Sequence, residues 1–172
     1  MFFDSNLLFV LLLLLHVGGA IIAFGPVFTF PIIGRMGGKE PQHVNFALRL
    51  AEVVETRLVV PLALFQAVTG VALIWVIGIN VLDVKAYLWL DVAIILYVIA
   101  ITIVLRIAIP TTVALIKATE APPPPPAPGS PPPSGPPPHI AALVKRQQQF
   151  GQITTVLLVL IIILMVTKPH LT

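Results

Sequence analysis

The sequence predicts an all-α polytopic membrane protein, a bundle of four transmembrane helices with a Pro-rich loop before the last of them. Three observations carry this. The chain is 58% hydrophobic and only 10% charged, with a mean hydropathy of +1.02, whereas a soluble domain carries about 25% charged residues. Thirty consecutive residues, Ser5 to Gly34, contain no Asp, Glu, Lys or Arg, and about 20 apolar residues suffice to cross the hydrocarbon core of a bilayer. Three further apolar runs follow, and 172 residues leave room for one bundle and no separate soluble domain.

The first span is expected over about 7–33. His16 is its one strongly polar side chain, and Gly19, Ala20 and Ala23 follow on the same helical face at offsets of three, four and seven. An imidazole beside small residues marks the side that meets other helices rather than lipid. Gly25, Pro26 and Pro31 should kink or loosen the last third. The N-terminus lacks the basic region of a signal peptide, and the apolar run is too long for its hydrophobic core, so a retained first span is expected.

A polar turn is expected from Gly34 to Pro41, then an amphipathic segment over 43–57 in which Phe46, Leu50, Val53 and Val54 share a face. It should lie at the interface or extend the second span. That span, about 58–79, falls in a charge-free run from Leu58 to Leu82, with Pro61 at its start and Trp75 suited to the interface. Gln66, Thr69 and Gly70 share a face. The short connection Asn80–Ala86 makes the second and third spans antiparallel neighbours.

The third span is expected over about 87–110, with Tyr87 and Trp89 as an aromatic anchor beside Asp91, Arg106 one turn before its end, and a polar-tipped extension to Glu120. Residues 121–138 hold twelve of the eighteen prolines, which forbids helix and sheet ladder and predicts an extended linker reaching on the order of 55 Å. This strip reads as a spacer, or as a docking strip for an aromatic-lined partner groove. A polar lead-in over 139–152 precedes the fourth span at about 150–167, which reads as a plain lipid-facing wall. Eight of the ten basic residues fall on the side of the first and third connections, so the positive-inside rule puts both termini outside and 34–57 and 111–149 in the cytoplasm.

Counting 1.5 Å per residue from each interface brings His16, Gln66 and Tyr97 near the midplane of a core about 30 Å thick. His16, Gln66 with Thr69, and Tyr97 are therefore the candidate polar layer, either as interhelical hydrogen bonds that set the packing or as a cofactor or proton-relay site. No cysteine is present, which excludes disulfides, thiolate metal sites, iron–sulfur clusters and Cys-linked haem. Haem at His16 lacks a second in-span histidine: His43, His139 and His170 lie outside the spans, and Met36 and Met165 near the membrane faces. No metal site is expected, since carboxylates do not cluster in the spans. Hydrolytic chemistry lacks a nucleophile and an acid beside His16, and no internal repeat or polar stripe marks a transporter. A net charge of only +3, placed in loops, argues against nucleic acid.

Leu14 to Ala20 (Leu-Leu-His-Val-Gly-Gly-Ala), Phe24-Gly25-Pro26, Arg57-Leu-Val-Val-Pro61 and Thr69-Gly70 together resemble a bacterial family of four-helix predicted integral membrane proteins known only as a domain of unknown function. The resemblance covers the spans, with the proline strip as an insertion. More distantly, the first helix is similar to those of copper-resistance D-type domains and membrane protoporphyrinogen oxidases, which would imply haem or metal at His16. The expectation that follows is a non-catalytic accessory or scaffold subunit of a larger bacterial inner-membrane assembly, such as a respiratory or photosynthetic redox complex. It would contact lipid and other membrane subunits through its apolar helix faces. The alternatives are a haem-binding or redox protein using His16, and a small-solute transporter.

Overall fold

The computed structural model describes residues 5–120 and 135–169. Four helical rods, Leu7–Lys39, Pro41–Ile77, Ala86–Ala118 and Pro138–Thr167, are long and apolar enough to cross a membrane, and no strand occurs among the described residues. The Pro-rich strip expected over 121–138 lies, up to residue 134, outside the described residues.

Each of the first three rods is broken at a proline. α1 (Ser5–Phe24) passes through a 3₁₀ turn, Gly25–Phe28, into α2 (Phe30–Lys39). The break falls at Gly25-Pro26, where the proline ring removes a helical N–H. The helix does not stop in the polar turn expected after Ile33: it runs on to Lys39 and ends at Glu40, because the residue before Pro41 is driven out of the α region. The glycines of that stretch serve packing instead. A Cβ on Gly37 would lie 3.2 Å from the Ala47 Cβ and 3.5 Å from the Val44 Cα, so α2 folds closely onto α3.

α3 (Val44–Val54) continues through a π turn, Glu55–Val59, into α4 (Val60–Ile77). The amphipathic 43–57 segment is thus the extension of the second span. Gly78 ends α4 at φ 75°, the left-handed conformation that lacks a Cβ penalty in glycine. α5 (Val84–Ile103) is capped by Asp83, whose carboxylate accepts from the Ala86 N–H. A second π turn, Val104–Ala108, leads into α6 (Ile109–Ala118), so Pro110 does not end the rod. α7 is one unbroken helix, Pro138–Thr167, taking in the polar lead-in.

The closest packing is α1 on α4 and α5 on α7, with α3 against α6 joining the two pairs at the end that carries the basic residues. The second and third spans, expected as neighbours from their short connection, approach less closely than either pair. Side-chain size decides this: glycines line the α1–α4 seam, whereas the bulky Tyr97 reaches across from α5 toward α4. Two other expectations are corrected. Trp89 is buried, with Lys168 Nζ 5.8 Å from its ring centroid, so it packs against the end of α7 rather than facing the bilayer surface. The fourth span is not a plain wall, since Thr154, Leu158 and Ile161 bury one face of it against the bundle.

Candidate functional site

α4 is the helix on which the candidate residues converge. Its inner face runs Ala63, Gln66, Thr69 and Leu73, spacings of three and four that a 3.6-residue turn stacks in one column. His16 of α1 lies across from it. His16 Nδ1 is 3.0 Å from Thr69 Oγ1, and that hydroxyl sits 3.1 Å from the carbonyl oxygens of both Phe65 and Gln66. In the tautomer where the hydroxyl proton goes to these carbonyls, Oγ1 accepts from His16 Nδ1–H and Nε2 keeps the lone pair.

Two glycines make this approach feasible. A Cβ on Gly70 would be 3.1 Å from His16 Cε1, and one on Gly19 would be 3.3 Å from Gln66 Oε1 and 3.6 Å from the Phe65 ring. The antiparallel helices therefore interlock reciprocally: the imidazole fills the hollow over Gly70, and Gln66 with Phe65 fills the one over Gly19. Gln66 is 8% exposed, and its Oε1 has no hydrogen-bond partner among the described residues. A buried acceptor left unpaired costs about 1–3 kcal/mol, so Gln66 is the least settled member of the group.

Tyr97 is not in that cluster. Its hydroxyl donates to the Ala63 carbonyl at 2.6 Å, one turn along α4 from Gln66. His16, Gln66 and Thr69 meet on the α1 flank of α4, while Tyr97 pins the α5 flank. Between Tyr97 and the junction of α1 with its 3₁₀ turn is a cavity of about 30 Å³ lined by Phe24, Val59, Ala63, Val104 and Leu158 among others, room for about one water.

Asp91 Oδ2 and Gln147 Oε1 are likewise buried without a hydrogen-bond partner among the described residues, whereas the buried threonine hydroxyls are spent locally. The buried hydroxyls of Thr111, Thr112 and Thr154 donate to carbonyls four residues earlier, Ile107, Ala108 and Phe150. No group of three or more His, Asp or Glu side chains gathers at metal-binding distance among the described residues. The cluster thus offers one imidazole nitrogen and one amide oxygen, enough for hydrogen bonding or a single axial contact.

Two features escaped the sequence reading. Asn45 donates to the Ile116 carbonyl at 2.8 Å and to Thr119 Oγ1 at 3.0 Å, and Arg49, held by Asn45 Oδ1 at 2.8 Å, pairs with Glu120 at 3.0 Å. This network closes the C-terminus of α6 onto α3, and nothing in either local sequence signals it. Glu55 is buried inside the π turn. Here a signal existed: Glu55 stands four, eight and eleven residues before Val59, Ala63 and Gln66, on the same inner face.

Fold and site together define the class: a polytopic α-helical membrane protein whose spans are locked by a few buried polar contacts. Within that class, the chain belongs to the family described as Predicted integral membrane protein (DUF2269), whose model matches residues 10–169. No curated protein and no solved structure matches it.

Proposed function

We propose that the chain is a non-catalytic scaffold or accessory subunit of a larger bacterial inner-membrane assembly. The observation that carries this reading is the His16–Thr69 hydrogen bond set in the Gly19–Gly70 seam. The most reactive side chain within the spans is used to hold two helices together, and Tyr97 is used in the same way on the other flank. What the molecule presents outward is apolar. Along α4, Leu64, Val68, Val71 and Trp75 form an exposed stripe, Trp75 being 82% exposed, suited to lipid and to the helices of neighbouring subunits. The positive-inside bias supports a cytoplasmic basic end with both termini outside, so a cytoplasm-only reporter should be active when inserted at Gly129 and silent when fused after Thr172.

Extraction in mild detergent followed by size-exclusion chromatography and identification of co-purifying membrane proteins tests the proposal. A stoichiometric partner complex is expected, and recovery of a lone monomer refutes it. The same preparation addresses the redox alternative: a Soret absorption band lost in His16→Ala would replace the scaffold reading with a haem-binding one.

A further inference from the structure

The three helix breaks coincide in space. Counting along the antiparallel pair from the His16–Thr69 contact brings the 3₁₀ turn Gly25–Phe28 opposite the π turn Glu55–Val59, and the two pack together. Counting from the Tyr97–Ala63 bond brings the second π turn, Val104–Ala108, to the same level. Val27, Val59 and Val104, one from each break, line a single cavity. Irregular backbone in a membrane protein persists where it is enclosed by protein or lines a cavity, and π turns recur at functional positions.

Glu55 sits at the polar edge of this belt, three residues before the charge-free run that begins at Leu58. It is 8% exposed. The ion pairs among the described residues are His43–Glu40 and Arg49–Glu120, and Glu55 is in neither. The elements packed most closely against its turn are α1, the 3₁₀ turn, α3 and α4. α4 and the 3₁₀ turn have no titratable side chain, and the one histidine of α1, His16, is about 20 Å away along the helix axis. α3 contributes Arg49, engaged by Asn45 and Glu120, and Glu52, one helical turn away and half-buried. Arg57, two residues on in the same π turn, and Arg106 of the facing π turn are both exposed and point outward.

A largely buried carboxylate with no ion pair among the described residues favours a bound cation or a proton. The backbone around it favours the proton. Pro61 has no N–H, and the Val60 N–H reaches back to the Glu55 carbonyl, so the turn has more carbonyl acceptors than amide donors. Surplus acceptors suit a neutral carboxylic acid, which donates an O–H, and not an anion, which requires donors. An alkali-metal ion would need several oxygen ligands, and no cluster of carboxylates supplies them among the described residues.

We propose that Glu55 is a proton-binding site at the basic end of the bundle. A proton from solvent adds to the Glu55 carboxylate, forming an O–H bond that leaves this side chain neutral. Loss of that proton leaves an anion one helical turn from Val59, which lines the cavity, and draws water toward the meeting point of three spans.

Infrared difference spectroscopy of the purified full chain in lipid nanodiscs tests this by following the carboxylic-acid C=O stretch through a pH titration. The wild type should show a protonated carboxyl near neutral pH. Asp91→Asn, which removes the other carboxyl with a buried, unpartnered oxygen, should keep that band, and Glu55→Gln in the Asp91→Asn background should lose it. Absence of the band in the wild type overturns the proposal whether or not the variants fold. So does its loss in Asp91→Asn, its persistence in the double variant, or its replacement by a carboxylate band when sodium chloride is added at constant pH, the last assigning an alkali-metal site.

Discussion

Enlarging Gly70 tests the interlock between the first two spans, and Gly18 supplies an internal control one residue from the seam. A Cβ at Gly70 would press on His16 Cε1 at 3.1 Å, one at Gly19 on Gln66 Oε1 at 3.3 Å, and one at Gly18 would meet nothing within 4 Å. In Gly70→Ala the ring must yield by a few tenths of an ångström, so the gain in helix propensity, about 0.5–1 kcal/mol, is offset by crowding of similar size. Gly70→Leu has no such escape. Its side chain occupies the hollow that the imidazole fills, which adds an overpacking cost of about 1–3 kcal/mol to a lost His16–Thr69 contact worth about 0.6 kcal/mol. The expected order of stability is Gly18→Leu near or above wild type, Gly70→Ala near wild type, and Gly70→Leu lower by about 2–4 kcal/mol, the sum of those costs. Unfolding of the purified protein in mixed micelles with increasing sodium dodecyl sulfate, followed by far-ultraviolet circular dichroism, measures these differences. Equal effects of leucine at Gly18 and Gly70 would refute the interlock.

A double-mutant cycle on His16→Ala and Thr69→Val, read in the same assay, should return a coupling of about 0.6 kcal/mol and no more than about 1.7, the range for interhelical bonds in bilayers; additivity of the two single changes would show that the contact contributes nothing. At the basic end, Arg49→Ala should cost under about 1 kcal/mol and lose its effect at high salt, because its ion pair with Glu120 is more than half exposed. Asn45→Ala should cost more than Arg49→Ala, since it strips the donor from the Ile116 carbonyl at the end of α6. The opposite ranking would place the strength of the α3–α6 junction in the ion pair.

The candidate site was partly legible in the chain. His16, Gly19 and Ala23 on one helix, and Gln66, Thr69 and Gly70 on the other, show their shared faces through helical periodicity alone, and the bilayer thickness sets their depth. Periodicity cannot say which flank of α4 faces which neighbour. For that reason Tyr97, matched to His16 by depth, turns out to bond Ala63 on the other side. Glu55 carries the same lesson in reverse: its charge suggests an exposed polar segment, while its register continues the buried column of Val59, Ala63 and Gln66.

Composition and apolar run length by themselves determined that this protein is a set of membrane-crossing helices and how many there are, because hydrocarbon offers the backbone no hydrogen-bond partner and leaves an apolar chain little choice but the helix. Which helices touch was decided by the tertiary structure. Loop length argued for the second and third spans as the close pair, yet glycines at positions 19 and 70 let α1 and α4 approach until an imidazole bonds a threonine. In lipid no hydrophobic force favours one apolar pairing over another, so fit between side chains and the few buried polar contacts select the arrangement.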